Sequence, residues 1–137
     1  MNELNLIKVT PDKEKAKSML KMIKTTIDML TYLDIVKFSS NITKEYYDVL
    51  RELMSIILLL DGYKVYGEEA HKKTIEYIEI KYKTITEAEI NLLNDLRIKR
   101  NKISYDGFFI EPEYIKNKLE RIKKIIIKLE KIISLKL

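Results

Sequence analysis

Residues 46–60 read Tyr-Tyr-Asp-Val-Leu-Arg-Glu-Leu-Met-Ser-Ile-Ile-Leu-Leu-Leu. Tyr46, Leu50, Leu53, Ile57 and Leu60 recur at spacings of three and four, the period of one face of an α-helix. Met54, Leu58 and Leu59 widen that face, so this stretch predicts the most buried helix of a helical domain. Its apolar run, Ile56 to Leu60, is far too short to cross a bilayer. Upstream, Ser39, Ser40 and Asn41 interrupt the periodicity. Before them Ala16, Leu20, Ile23, Ile27 and Leu30 form an earlier stripe, expected to start with Thr10 as N-cap and Pro11 at the first helical position. Downstream, Asp61-Gly62 and Gly67 mark a turn. A shorter helix follows from near Glu68, carrying Ile75 and Ile78. Thr86-Glu87-Ala88-Glu89 is a capping box that opens a fourth helix, and Asp106-Gly107 closes it. Pro112 stands near the start of a fifth, with the stripe Ile115, Leu119, Ile122, Ile126, Leu129 and Ile133. That stripe keeps coiled-coil spacing and suits a partner helix, but the core of the same bundle uses such a stripe more often. With no repeat and no linker, the pattern predicts one all-α domain over residues 1–137. It should be an up-and-down bundle of four to five helices, built mainly from the first, second, fourth and fifth.

Composition agrees and narrows the chemistry. Apolar residues make up 46% and charged residues 34% of the 137, a globular balance. Only three Gly and two Pro interrupt the chain, which suits long helices. There is no Cys, which rules out disulfides, thiolate metal sites and cysteine nucleophiles, and the single His71 cannot build a multi-histidine metal site within one chain. No metal or cofactor is therefore expected. Residues 1–10 lack the basic-then-apolar layout of a signal peptide, so a cytoplasmic protein that does not enter the membrane is expected. The absence of Gln beside abundant Lys, Glu and Ile leans toward a thermophilic source. Net charge is +5, unevenly spread: residues 97–137 hold 12 basic and 5 acidic side chains, whereas residues 1–96 carry a net −2. Such asymmetry suits a surface that faces an anion or nucleic acid, although a solvated lysine-rich helix face has the same look.

The fourth helix departs from simple periodicity. At about 100° per residue, Leu92, Leu93, Leu96 and Ile103 share one face, and Arg100 falls among them. An unpaired guanidinium buried there would cost several kcal/mol, so Arg100 needs a carboxylate, a cavity or another surface. Beside it on the wheel follow Ser104, Arg97, Asn101, Asn94 and Tyr105. This sector holds two arginines and neutral hydrogen-bonding groups without a carboxylate, a set that suits a phosphate or polar ligand. A plain ion pair between Arg100 and an acid elsewhere in the fold would satisfy the same pattern.

The stretch Leu96-Arg97-Ile98-Lys99-Arg100-Asn101-Lys102-Ile103-Ser104-Tyr105-Asp106-Gly107 resembles the signature of the HEPN domain family. That signature is an arginine, commonly followed by a polar residue, with a histidine four to six positions after the arginine. The continuation Phe108-Phe109-Ile110 and the segment Leu58-Leu59-Leu60-Asp61-Gly62-Tyr63-Lys64 also look similar to the family's pattern. The resemblance implies a helical bundle that dimerises with its motif helices facing each other. It further implies RNA or nucleotide binding, or metal-independent endoribonuclease activity of toxin–antitoxin type with a nucleotidyltransferase as antitoxin partner.

By position, Arg100 would be the family arginine, Asn101 its polar neighbour, and Tyr105 stands where a histidine would be. Arg100 and Tyr105 are thus the candidate catalytic residues, and Arg97, Arg100, Asn101 and Ser104 the candidate nucleic-acid contacts. A tyrosine of pKa about 10 is a poor general base near pH 7, so weak or absent cleavage is expected. Tyr105 could still stack on a base or donate a hydrogen bond. Family members under adenylylation carry the acceptor tyrosine two residues after the histidine, where this chain has Gly107. His71, at the start of the short helix, is expected to be structural or surface. The alternative to RNA binding is a non-catalytic module that pairs with a nucleotidyltransferase-type protein. In either case a homodimer is expected, because one copy of the fourth helix offers too little to enclose a ligand.

Overall fold

The Tyr46–Leu60 stripe lies within a 23-residue helix, α2 (Ser39–Asp61), whose buried residues include Tyr46, Leu50, Leu53, Met54, Ile57 and Leu58. Around it the computed structural model, which describes residues 4–137, places β1 (Leu6–Lys8), α1 (Lys13–Leu30), β2 (Tyr63–Val65), α3 (Ala70–Lys81), α4 (Glu87–Asp106) and α5 (Pro112–Lys136). Residues 1–3, at the head of the expected domain, lie outside the described residues. The architecture is an all-α bundle with α2 at its centre, packed against α1, α3, α4 and α5. Ile115, Ile122, Ile126, Leu129 and Ile133 of α5 are all buried in this core, so the coiled-coil spacing of α5 serves the chain's own bundle. Among the described residues no helix is long and apolar enough to cross a membrane.

Two boundaries differ from the sequence expectation. The α1 N-cap is Asp12, whose side chain accepts from the Lys15 amide, and Thr10-Pro11 lie outside the helix. A carboxylate caps at least as well as a threonine hydroxyl and adds its charge to the positive helix end. Ser39 and Ser40, expected as a break, form the first turn of α2. They are buried because the Ser39 hydroxyl donates to the Ile110 carbonyl at 2.7 Å and the Ser40 hydroxyl accepts from the Ile110 amide at 2.7 Å. The short helix α3 begins at Ala70 with Glu69 as its N-cap residue, near Glu68 as expected.

One element was not foreseen at all. β1 and β2 pair antiparallel, with Leu6 opposite Val65, Ile7 opposite Lys64 and Lys8 opposite Tyr63. Three-residue strands leave too little alternation to be read from sequence. Gly62 makes the pairing possible. It ends α2 in the left-handed region at φ 88, and its carbonyl accepts from the Val9 amide at 2.9 Å. A side chain there would meet the Val9 carbonyl at 3.4 Å in a conformation that favours glycine. The two-stranded ribbon ties the start of the chain to the end of α2 and walls off a cleft between α1, α2 and α3.

Candidate anion-binding site

Helical spacing on α2 brings Tyr47, Arg51 and Ser55 to one side at four-residue intervals, with Asp48 beside them. Because α4 packs on α2, Arg100 turns toward that side and not toward solvent. Its Nε lies 3.3 Å from a carboxylate oxygen of Asp48, and the two side chains are only 17% and 18% exposed. Arg51 reaches the same oxygen at 3.8 Å and also approaches Glu52 at 3.9 Å. Neither arginine Nε hydrogen-bonds Asp48, Arg51 because it is too far and Arg100 because its N–H is poorly aligned, so the three groups are held by charge more than by hydrogen-bond geometry. Arg97 donates to the Asn94 side chain at 3.4 Å, and no carboxylate pairs with it among the described residues. Two guanidiniums therefore share the Asp48 carboxylate, and all three act on the neighbouring Tyr47.

The burial expected of Arg100 is what the structure shows, and its partner comes from its own chain. The plain ion pair that would satisfy the sequence pattern is present, with Asp48 as the acid. The α4 sector that was read as free of carboxylates thus meets one from α2.

Two further groups belong to this cluster. Tyr47 is fully buried and its hydroxyl has no hydrogen-bond partner. Burial pushes it up to about 12, with Arg97, Arg51 and Arg100 pulling the other way. His71 packs its ring 6.3 Å from that of Tyr47. Burial, then Arg51 and Arg100, hold His71 below its usual range, against the opposing pull of Asp48. That environment favours the neutral ring, the form that accepts a proton. His71 was expected to be structural or surface; it is partly buried and lines the cleft beside Arg51.

The other candidate residues spread along α4. Asn101 is partly buried, whereas Ser104 and Tyr105 are exposed, Tyr105 at 75%. Five residues beyond Arg100, Tyr105 stands about 140° around the helix and about 7.5 Å along it. The structure thus brings Arg97 and Arg100 together with Tyr47, Asp48, Arg51 and His71, while within one chain Tyr105 faces outward. Sequence reasoning missed Tyr47, Asp48 and Arg51. The signal that could have found them is the one that singled out Arg100: polar side chains at helical spacing along the edge of an apolar face. It went unread on α2 because the apolar stripe there is so dense. Among the described residues, no three His, Asp or Glu side chains converge as metal ligands would. Comparison of the chain with family models, with curated proteins and with solved structures returns no match.

Proposed function

We propose that this chain is a HEPN-like, homodimeric RNA- or nucleotide-binding protein with weak or no metal-independent ribonuclease activity. The observation that carries the proposal is a cluster of three guanidiniums about Tyr47, in which Arg51 and Arg100 share the Asp48 carboxylate and Arg97 has no carboxylate partner among the described residues. Cationic charge left in excess at a partly dry site favours a phosphate-bearing ligand. Arg97 is the leading contact, since Asp48 already holds Arg100. Asn101 and Ser104 follow it along α4 as hydrogen-bonding groups, and the net +7 of residues 97–137 supplies the surrounding field. Tyr105, exposed and planar, offers a surface on which a base can stack.

The test is filter binding of single-stranded RNA across a salt series. Affinity should fall steeply with salt, and the Arg97→Ala/Arg100→Ala double variant should lose most of it. Binding that ignores both salt and the double substitution would sink the proposal.

A second reading draws on the exposed Ile98, Tyr105, Phe108 and Phe109, an apolar set that suits a protein partner of nucleotidyltransferase type. A nucleotidyltransferase gene beside this one, together with absent RNA binding, would favour that interaction module.

A further inference from the structure

The cleft between α1, α2, α3 and the β-ribbon has a volume of about 540 Å³, the size of a small-molecule site. Its polar lining comes from four elements: Lys15 of α1, Arg51 and Ser55 of α2, Lys64 of β2 and His71 of α3. Asp12 is the one carboxylate in the lining, and it is occupied as the cap of α1, accepting from the Lys15 amide at 2.9 Å. Lys15 and Lys64 form no ion pair among the described residues, and the Arg51 Nε is buried without a hydrogen-bond partner. Met19, Leu59 and Val65 add an apolar part to the lining, Met19 one turn beyond Lys15 on α1 and Leu59 one turn beyond Ser55 on α2. The N-terminus of α3 also opens here. Ala70 and His71 line the cleft, and the N-cap residue Glu69 offers α3 no side-chain hydrogen bond. Amides of an uncapped first turn favour an anion.

We infer that this cleft is a binding site for a phosphomonoester: a dianionic phosphate seated among Lys15, Arg51, Lys64 and the start of α3, with a flat apolar body against Met19, Leu59 and Val65. Three cations line the cleft against the one lining carboxylate, Asp12; Arg51 is partly balanced from behind by Asp48 and Glu52, so Lys15 and Lys64 supply most of the charge that would meet a phosphomonoester. The Ser55 hydroxyl is a further donor for the phosphate. The cleft adjoins the Arg97/Arg100 face proposed for RNA: Arg51 is linked to it through Asp48 and His71 feels the charge of Arg97 and Arg100, whereas Lys15 and Lys64 belong to the cleft alone. The same chemistry is offered by a free small phosphomonoester and by the phosphorylated end of an oligonucleotide.

His71 is the only histidine of the chain, so its ring signals report on the cleft without ambiguity. It faces Arg51, Asp48 and Tyr47 of α2, Arg97 and Arg100 of α4, and shares the cleft with Lys15, Asp12 and Lys64. A bound dianion would relieve the repulsion from the arginines, so the ring should titrate at higher pH when the site is filled.

The experiment is an NMR titration of the full chain with phenyl phosphate, with adenosine 5′-monophosphate, and with one short RNA carrying either a 5′-phosphate or a 5′-hydroxyl. Saturable shifts of the His71 ring and an upward move of its titration are expected. The Lys15→Ala/Lys64→Ala variant should weaken phenyl phosphate by about tenfold or more, while the 5′-hydroxyl RNA binds as before. Arg97→Ala/Arg100→Ala should do the reverse, so failure of the cleft and failure of the RNA proposal are told apart. A clear gain from the 5′-phosphate assigns the ligand to a chain end. A mononucleotide that binds as tightly as that RNA assigns it to a free phosphomonoester. No His71 response to phenyl phosphate up to about 10 mM, or a response unchanged by the lysine substitutions, overturns the inference.

Discussion

At the scale of single residues, Asp48 matters most, because one carboxylate restrains the charge of two arginines, Arg51 and Arg100. Replacing it should move stability and anion affinity in opposite directions. Asp48→Asn keeps the volume but leaves the guanidiniums repelling one another in a mostly buried place. It is expected to cost about 1–3 kcal/mol in a urea melt, less than the loss from a fully buried pair because both partners keep some solvent. The same variant should bind single-stranded RNA more tightly at low salt, since a competing anion has been removed. If affinity falls along with stability, Asp48 positions the arginines and does not compete for them. Tyr105 poses the complementary question. Under the HEPN-like proposal it stands where a proton-transfer histidine would be, and a phenol cannot exchange protons readily at neutral pH. Tyr105→His should therefore raise metal-free RNA cleavage above a low or absent wild-type level, measured with labelled RNA in chelator. A wild type that cleaves as fast as the variant would show that Tyr105 is no deficit.

Among the elements, the most consequential joints are made by polar side chains that link helices. Ser39 and Ser40 hold both backbone groups of Ile110, the residue that leads from α4 into α5. Ser39→Ala/Ser40→Ala should leave a buried amide and carbonyl without partners and cost about 2–4 kcal/mol, with faster hydrogen exchange at the Ile110 amide. Asp61, the last residue of α2, accepts from Tyr77 of α3 at 2.7 Å and from Tyr82 at 2.5 Å, and lies 2.6 Å from Lys136 of α5. Burial alone would raise its pKa, but the hydrogen bonds from Lys136, Tyr82 and Tyr77 outweigh burial together and hold it below 3.8. The sign follows: the stabilisation is complete above about 3.8 and is lost as pH falls through the lower folded-state value. Thermal melts should show this acid arm in the wild type and flatten it in Asp61→Asn. This is also the scale at which the sequence is informative. The five helices were legible because Leu50, Leu53 and Ile57, or Ile122, Ile126 and Leu129, repeat a period over several turns. The Thr86–Glu89 capping box and Gly107 marked both ends of α4 for local reasons that need no tertiary partner. Ser39-Ser40 read as a break because their partner, Ile110, lies 71 and 70 residues away. The Arg100–Asp48 pair stayed hidden for the same reason: its two halves sit on different helices, and only packing sets them at 3.3 Å.

For the whole molecule, the question is whether one copy of the bundle is the working unit. α4 packs against α2 and α3, which leaves its opposite side open. Down that side run Asn94, Ile98, Asn101 and Tyr105 at spacings of four, three and four, a stripe without charge on a helix otherwise rich in it. Ile98 is 44% exposed, and beyond the helix end Phe109 is 84% exposed. Arg100 is paired inside its own chain, so its burial needs no second copy; the outward stripe is what points to one. A two-fold axis beside α4 would set each stripe against its copy, bury Ile98 and the aromatic side chains, and bring Arg97 and Asn101 of both copies to the rim of one cleft. Self-complementarity is easy for such a surface, because asparagine amides both donate and accept. The expected product is a homodimer that buries roughly 1,200–2,000 Å² in total. Light scattering at micromolar concentration should give twice the 16.3 kDa chain mass. Ile98→Glu/Tyr105→Glu should return the protein to monomer with its thermal melt little changed, because neither side chain belongs to the core. RNA affinity should drop with the dimer even though every arginine remains in place. A wild-type chain that stays at 16.3 kDa under these conditions would remove the composite cleft, and with it the strongest reason to expect RNA on this face.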